Sequence, residues 1–166
     1  MRSRFGLMFA VMVSVLALIA RPALAAAGDL DSTFDFDGKV VTDFTTDGDS
    51  AGCVVIQPDG KIVAIGNGDG EFAVARYNSD GSLDSSFDGD GKVLTDFGSG
   101  FDGAYCGALQ SDGKIVAAGS AGNGAKFAMV RYNSDGTLDT SFSSDGKTRT
   151  DLSSGLDEAY GVVIQG

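Results

Sequence analysis

A unit of 53 to 55 residues recurs along the chain and constrains its fold more than any other feature. The stretch Arg131–Phe142 repeats Arg76–Phe87 almost letter for letter, and a third copy of its second half begins at Leu30. The equivalent leucines are 53 positions apart from Leu30 to Leu83, and 55 positions apart from Leu83 to Leu138. A period in this range predicts an array of similar units, each packed against its neighbours.

The period divides the chain into two full repeats and part of a third. Repeat 1 spans residues 28–81, repeat 2 spans residues 82–136, and partial repeat 3 spans residues 137–166. Each full repeat contains four runs of five or six residues that are rich in Val, Ile or aromatic residues and are bounded by Gly and Asp. The runs lie at 39–44, 53–57, 61–66 and 72–77, at 92–97, 106–110, 114–119 and 127–132, and at 147–152 and 160–165.

These runs predict β-strands that are joined by tight turns. The second and third runs of each repeat are apolar on both faces, which predicts that neighbouring layers cover them on both sides. No segment after the N-terminal leader shows a helical period over ten residues. We therefore predict an all-β fold in which four-stranded antiparallel sheets repeat as the blades of an incomplete β-propeller.

Three motifs recur in the same order within this framework. The first has the form Leu-Asp-x-Ser/Thr-Phe-x-x-Asp-Gly-Lys, and the other two occupy Gln57–Gly66 with Phe72–Gly81, and Gln110–Gly119 with Phe127–Gly136. From Gly28 onward the chain resembles the delta-60 repeat family. The resemblance implies a β-propeller-like domain of unknown function, found in exported and surface bacterial proteins, and it transfers no catalytic residue.

The number of repeats falls short of a closed ring. A closed propeller has about four to eight blades, whereas this chain supplies about two and a half repeats. An open array exposes the apolar faces of its end units. We therefore expect self-association through the open blade edges, or low stability of the chain alone.

The N-terminus has the three-part layout of a secretory signal peptide. A basic head, Met1–Arg4, precedes the apolar run Phe5–Ala20, and Ala23–Ala25 supplies a small-x-small cleavage motif. We predict a signal-peptide helix within residues 1–25, with cleavage after Ala25 or Ala27. The alternative is an uncleaved anchor, but the run is shorter than the roughly 18–20 residues that a membrane span needs. The predicted location is the periplasm, the cell surface or the medium.

The charge of the chain is strongly negative. The net charge is −11, and removal of Arg2, Arg4 and Arg21 with the leader lowers it to −14. Such a chain is repelled by nucleic acids and by anionic membrane surfaces. All 23 acidic residues except Glu71 and Glu158 are Asp, and eleven of these Asp residues directly precede Gly, which indicates many tight turns.

Two pairs of Asp residues raise the question of calcium. Asp35 and Asp37, and likewise Asp88 and Asp90, form an Asp-x-Asp-Gly sequence. An EF-hand would need acids at the first and twelfth positions of the loop. These positions hold Thr33 and Phe44 in one copy, and Ser86 and Phe97 in the other. The EF-hand is excluded, and a looser calcium site remains open.

The residue types present exclude several kinds of catalysis. The chain has no His, which excludes His-assisted nucleophiles and makes a zinc site implausible. Cys53 and Cys106 occupy equivalent positions, and we predict two unpaired, buried thiols. The recurring Asp-Gly-Lys triplets predict turns of type I′ or type I with a G1 bulge, rather than acid–base pairs. A glycosidase that uses two carboxylates remains open.

We assign no catalytic, cofactor-binding or metal-binding residue. Each Arg-Tyr pair, at Arg76-Tyr77 and Arg131-Tyr132, is predicted to place its Tyr at a blade edge and to pair its Arg with an Asp in a solvated contact. The predicted function is non-enzymatic binding or scaffolding, with a protein or glycan as partner. The alternatives are a fragment of a propeller-type polysaccharide hydrolase or lyase, and a truncated remnant without independent function.

Overall fold

The computed structural model describes residues 27–45, 48–98 and 100–165. These residues form eight β-strands in two four-stranded antiparallel sheets, and no helix is present among them. The prediction of repeated four-stranded sheets in an incomplete β-propeller is therefore confirmed. The predicted signal peptide, residues 1–25, lies outside the described residues. Within the described part of the chain, no helix is long and apolar enough to cross a membrane.

The two sheets have the same composition and the same strand order. Blade 1 contains β1 (Ser50–Ile56), β2 (Ile62–Gly68), β3 (Glu71–Tyr77) and β4 (Lys92–Thr95). Blade 2 contains β5 (Gly103–Leu109), β6 (Ile115–Ala121), β7 (Lys126–Tyr132) and β8 (Lys147–Thr150). In both blades the strands pair in chain order. Each blade thus takes three strands from one repeat and its fourth strand from the start of the next repeat.

Two predicted strands do not form. Residues 39–44 and 160–165 have no strand structure, although their equivalents in repeat 2 form β4 and β5. A strand forms only where a neighbour satisfies its backbone N–H and C=O groups. No strand among the described residues pairs with either run. We call residues 30–44 the arm and residues 152–165 the tail.

A β-bulge shapes the first strand of each blade. In blade 2 the pairing of β5 with β6 shifts register between Ala104 and Cys106, opposite Gly119. A Cβ atom at Gly119 would lie 1.9 Å from the carbonyl oxygen of Gly103. Gly66 stands at the equivalent place in blade 1, with the same 1.9 Å approach to a carbonyl oxygen. The bulge brings the two backbones so close together that only Gly fits.

The main core lies between the two blades. Its large and fully buried members are Val63, Ile65, Phe72, Val74, Phe87, Ile115, Val130 and Tyr132. A Cβ atom at Gly107 would lie 2.2 Å from Cδ1 of Ile65, so β5 packs closely on blade 1. The opposite side of β1 is open, and its Val54 and Ile56 are 59% and 69% exposed. The prediction that this run is covered on both faces is therefore wrong, because no described sheet lies on that side.

The two thiols are unpaired, as predicted. Cys106 is buried beneath the tail, where its Sγ lies 3.5 Å from the carbonyl oxygen of Ala118 and 3.6 Å from that of Ala159. Cys53 is only half-buried, and its predicted burial is wrong. Its Sγ faces blade 2 and lies 3.7 Å from the carbonyl oxygen of Gly107.

Candidate functional site

A cluster of charged side chains around a buried ion pair lies in blade 1. Arg76 and Asp84 are each 5% exposed, and Arg76 Nε lies 2.6 Å from Asp84 Oδ2. Lys61 Nζ lies 2.7 Å from the same oxygen, and Ser86 Oγ donates to Asp84 Oδ1 at 2.7 Å. The predicted pairing of Arg with an Asp is confirmed. Its predicted solvation is wrong, because blade 2 covers the pair.

The strands and turns of blade 1 place these side chains together. Arg76 lies near the end of β3 and pairs with Val63 on β2, so Lys61, directly before that strand, stands close to it. Asp84 lies in the connection to β4, and its N–H donates to the carbonyl oxygen of Arg76 at 2.9 Å. The guanidinium carbon of Arg76 lies 4.7 Å from the ring centre of Phe87, a cation–π contact that fixes the plane of the guanidinium.

Blade 2 contains the same cluster. Arg131 Nε lies 2.6 Å from Asp139 Oδ2, Lys114 Nζ lies 3.2 Å from that oxygen, and Ser141 Oγ donates to Oδ1 at 2.7 Å. Phe142 lies under the guanidinium at 4.8 Å. A group that recurs once per repeat, in the same geometry, belongs to the architecture of the blade.

The two clusters differ in a contact across the blade interface. Arg76 Nη1 donates across the blade interface to the carbonyl oxygen of Ser134. The equivalent Nη1 of Arg131 has no acceptor within residues 27–45, 48–98 and 100–165. The Arg131 side chain is accordingly 20% exposed, against 6% for Arg76.

Hydrogen bonds control the acidity of the cluster. Burial raises the pKa of Asp84, but hydrogen bonds from Lys61, from Ser86 and from the guanidinium together outweigh it, so that the pKa lies well below the usual carboxyl range. The pKa of Asp139 is also lowered, chiefly by the hydroxyl of Ser141. Both carboxylates therefore remain charged in the folded protein at pH values where exposed Asp side chains have taken up protons.

We expect the free energy of unfolding to decrease as the pH falls below about 4. A carboxyl whose pKa is lowered by folding stabilises the protein above its unfolded-state pKa, and this contribution is lost as the pH falls toward the folded-state pKa. Urea denaturation between pH 6 and about pH 2 measures the loss. Asp84→Asn should flatten this dependence. An unchanged pH profile in the variant would contradict the assignment.

The carboxylates considered for calcium have separate roles in turns. Asp37 Oδ1 and Asp90 Oδ1 each accept a hydrogen bond from the backbone N–H two residues later, at 2.9 Å. Asp35 and Asp88 have φ angles of 44° and 49°, a left-handed conformation that Asp tolerates in turns. Among the residues that the structure describes, no group of three or more His, Cys, Asp or Glu side chains is placed to hold a metal ion.

The Asp-Gly-Lys triplets form turns, as predicted. In the hairpin before β2, the N–H of Gly60 donates to the carbonyl oxygen of Gln57 at 2.9 Å, and Gly60 has a φ of 85°. This geometry is a type I turn with a G1 bulge. Lys61 binds Asp84, and its backbone N–H, not its ammonium group, contacts the triplet partner Asp59.

Sequence reasoning missed a third buried carboxylate. Asp102 is fully buried. Its carboxylate accepts hydrogen bonds from the N–H groups of Phe97 (2.9 Å) and Gly122 (2.8 Å). Its own backbone N–H donates to the carbonyl oxygen of Gly70 in blade 1 (2.7 Å). Asp49 and Asp157 bind the backbone five residues earlier in the same way. Their spacings of 53 and 55 residues match the repeat, and this signal was present in the sequence.

The Tyr residues of the Arg-Tyr pairs lie between units, not at a blade edge as predicted. Tyr132 is fully buried, and its hydroxyl lies 2.7 Å from Thr95 Oγ1 of blade 1. Tyr77 is 7% exposed and bonds Thr42 of the arm at 2.7 Å. Both side chains face the preceding unit, which explains why the sequence of one repeat did not reveal their burial.

An open apolar groove of about 370 Å³ lies beside the arm on blade 1. Its apolar lining includes Val41, Phe44, Val54, Ile62, Ala64 and Tyr77. Val41 is 90% exposed and Val54 is 59% exposed. At the internal interface, blade 1 covers the equivalent face of blade 2.

Comparison with known proteins agrees with this architecture. Residues 57–87 and 110–142 match the family model described as "Domain of unknown function (DUF5122) beta-propeller". Each matched segment begins at the turn before the second strand and contains one complete Arg–Asp–Lys cluster. The match supports a β-propeller repeat family. No curated protein and no solved structure matches this chain.

Proposed function

We propose that this chain is an exported β-propeller repeat protein of the delta-60 type, with a non-enzymatic role in binding or scaffolding of a protein or glycan. The observation that carries the proposal is the repetition of the Arg76–Asp84–Lys61 cluster in blade 2. A catalytic centre requires a group that one repeat has and the other lacks. The buried charges instead serve the same structural purpose in both blades, which leaves the surfaces of the blades for recognition.

The negative charge of the chain limits the kinds of binding partner that this proposal allows. A net charge of −14 after removal of the leader disfavours phosphate backbones and anionic membranes. Neutral glycans and proteins with basic surfaces remain suitable. The proposal includes no cofactor.

Binding without turnover can be tested directly. The exported protein is incubated with a panel of insoluble polysaccharides, and both the bound fraction and the release of reducing ends or unsaturated sugars are measured. We expect co-sedimentation with at least one polymer and no product. Release of product would contradict the proposal and support a polysaccharide hydrolase or lyase. Absence of both would contradict a glycan-binding role.

Export predicts a defined mature N-terminus. Expression of the full chain in a bacterial host should yield a processed protein that begins at Ala26 or Gly28. Ala25 is the last residue before one cleavage site and the third residue before the other, so Ala25→Arg should block both. N-terminal sequencing of the periplasmic and secreted fractions measures this. An unprocessed wild-type chain in the cytoplasm would contradict export.

A further inference from the structure

The arm occupies, on blade 1, the place that part of blade 1 occupies on blade 2. Residues 30–44 are equivalent to residues 83–97, and three of their contacts to the next blade recur with the same lengths. These are Asp35 N–Asp80 O and Asp88 N–Asp135 O at 2.7 Å, Thr42–Tyr77 and Thr95–Tyr132 hydroxyls at 2.7 Å, and Lys92 Nζ–Asp43 O and Lys147 Nζ–Asp96 O at 2.9 Å. The arm thus reproduces the edge of a preceding blade.

The arm lacks the packing that holds its equivalent in blade 1. None of its residues is buried, whereas Asp84, Phe87, Thr95 and Phe97 in the equivalent segment are at most 6% exposed. The arm also forms no strand. The side chains of Phe34 and Phe44 lie beside Gly81 and Gly68 of blade 1 but are only half-buried. Since each hydrogen bond contributes about 1 kcal/mol, the arm is held less strongly than its equivalent in blade 1.

The outer face of blade 2 carries hydrogen-bond donors that could take the place of the arm on blade 1. At the internal interface, Arg76 Nη1 and the N–H of Asp88 bind the carbonyl oxygens of Ser134 and Asp135. The equivalent donors on blade 2 are Arg131 Nη1 and the N–H of Ser143, and neither has an acceptor in the described part of the chain. The equivalent acceptors on blade 1 are the carbonyl oxygens of Ser79 and Asp80.

We propose that blade 1 binds blade 2 of a second copy of this chain, head to tail, and that the arm is a displaceable cap over this surface. The new interface would repeat the internal one. Arg131 Nη1 would bind Ser79, the N–H of Ser143 would bind Asp80, and Thr150 would meet the hydroxyl of Tyr77. The apolar groove beside the arm would be covered by the incoming blade. This inference goes beyond the proposed function and requires no outside ligand.

The tail must also move in this arrangement. It lies over the inner part of blade 2 through hydrogen bonds from Asp157 N to Gly124 O (2.8 Å) and from Ala159 N to Gly119 O (3.2 Å). It forms no strand, and Tyr160 and Val163 are 72% and 89% exposed. The β1 strand of the second copy would take its place, as β5 does on blade 1.

The symmetry of such contacts permits closure. Each copy uses a different face at each end, so the interface is heterologous and generates either a ring or an open filament. With two blades per copy, rings of two to four copies reach the about four to eight blades of closed propellers.

Cross-linking tests the interface at a defined pair of residues. Two variants, Ser143→Cys and Asp80→Cys, are mixed in a background with Cys53→Ala and Cys106→Ala and then oxidised. Both positions are exposed, and a backbone N–H···O contact brings Cα atoms within disulfide range. We expect a disulfide-linked heterodimer that requires both variants. A single chain with Asp88→Cys and Asp135→Cys should instead close an internal disulfide.

The control for chance collisions replaces Asp80→Cys with Asp59→Cys, in an exposed turn whose equivalent at 110–113 makes no hydrogen bond to blade 1 among the described residues. Equal cross-linking by the two mixtures would overturn the proposal.

A second measurement tests whether the arm acts as a displaceable cap. Asp35→Pro removes the N–H that binds Asp80, and we expect sedimentation velocity to show association at about tenfold lower concentration. A variant that stays monomeric at every concentration, with an unchanged far-ultraviolet spectrum, would also overturn it.

Discussion

Asp84→Asn is expected to lower the free energy of unfolding by about 3–5 kcal/mol, because it leaves two cations without their common anion. Arg76 is 5% exposed, and the substitution removes the charge that its Nε contacts at 2.6 Å. Lys61 loses the same partner. Since Asn is nearly equal in size to Asp, the loss reports the charge and not a cavity. Urea denaturation followed by circular dichroism at pH 7 measures it.

Blade 2 supplies the matched control. Asp139→Asn removes the same anion, but its partner Arg131 is more exposed and does not reach across an interface. Water can therefore solvate the released guanidinium, and the loss of stability should be smaller than for Asp84→Asn. Asp59→Asn, in an exposed turn, should change stability by less than about 0.5 kcal/mol. Equal losses of unfolding free energy for Asp84→Asn and Asp139→Asn would contradict the inference that the blade interface shields Arg76 from water.

The eight strands could be predicted because each depends on local pattern. Short β-branched and aromatic runs between Gly-Asp turns define β2, β3, β6 and β7 to within a few residues. Residues 39–44 and 160–165 have the same pattern, and they failed as strands because pairing depends on a neighbour that local sequence does not reveal. For the same reason the sequence did not show that 92–97 completes the preceding sheet.

The buried charges were harder to predict than the strands. An ion pair between each Arg and an Asp was predicted, but the sequence did not identify that Asp as Asp84, and solvation was expected because Arg and Asp are usually exposed. The covering atoms come from Ser134 and its turn, more than fifty residues later in the chain. Burial of this pair, and of Tyr132 against Thr95, is a property of two stacked repeats. A single repeat, read alone, does not contain the information.

Gly119→Ala is expected to destabilise the protein by at least about 3 kcal/mol, since the added methyl group has no room. Its Cβ would lie 1.9 Å from the carbonyl oxygen of Gly103 and 2.9 Å from Cα of Ala104. Both neighbours are backbone atoms, so no side-chain rotation relieves the overlap. The bulged strand β5 must move away from β6, and β5 also packs on Ile65 of blade 1. Strain in one sheet therefore reaches the blade interface.

Gly161→Ala provides the comparison, because a Cβ atom at Gly161 would meet no atom within 4 Å. Its melting temperature should equal that of the wild type, whereas Gly119→Ala should melt at a markedly lower temperature or fail to accumulate as soluble protein. The prediction separates two explanations for the many Gly residues of this chain. If Gly119 is present only because glycine makes the backbone flexible, both variants should have similar melting temperatures in calorimetry. If close approach of the backbones at the bulge requires it, only Gly119→Ala should lose stability, and Gly66→Ala should repeat the loss in blade 1.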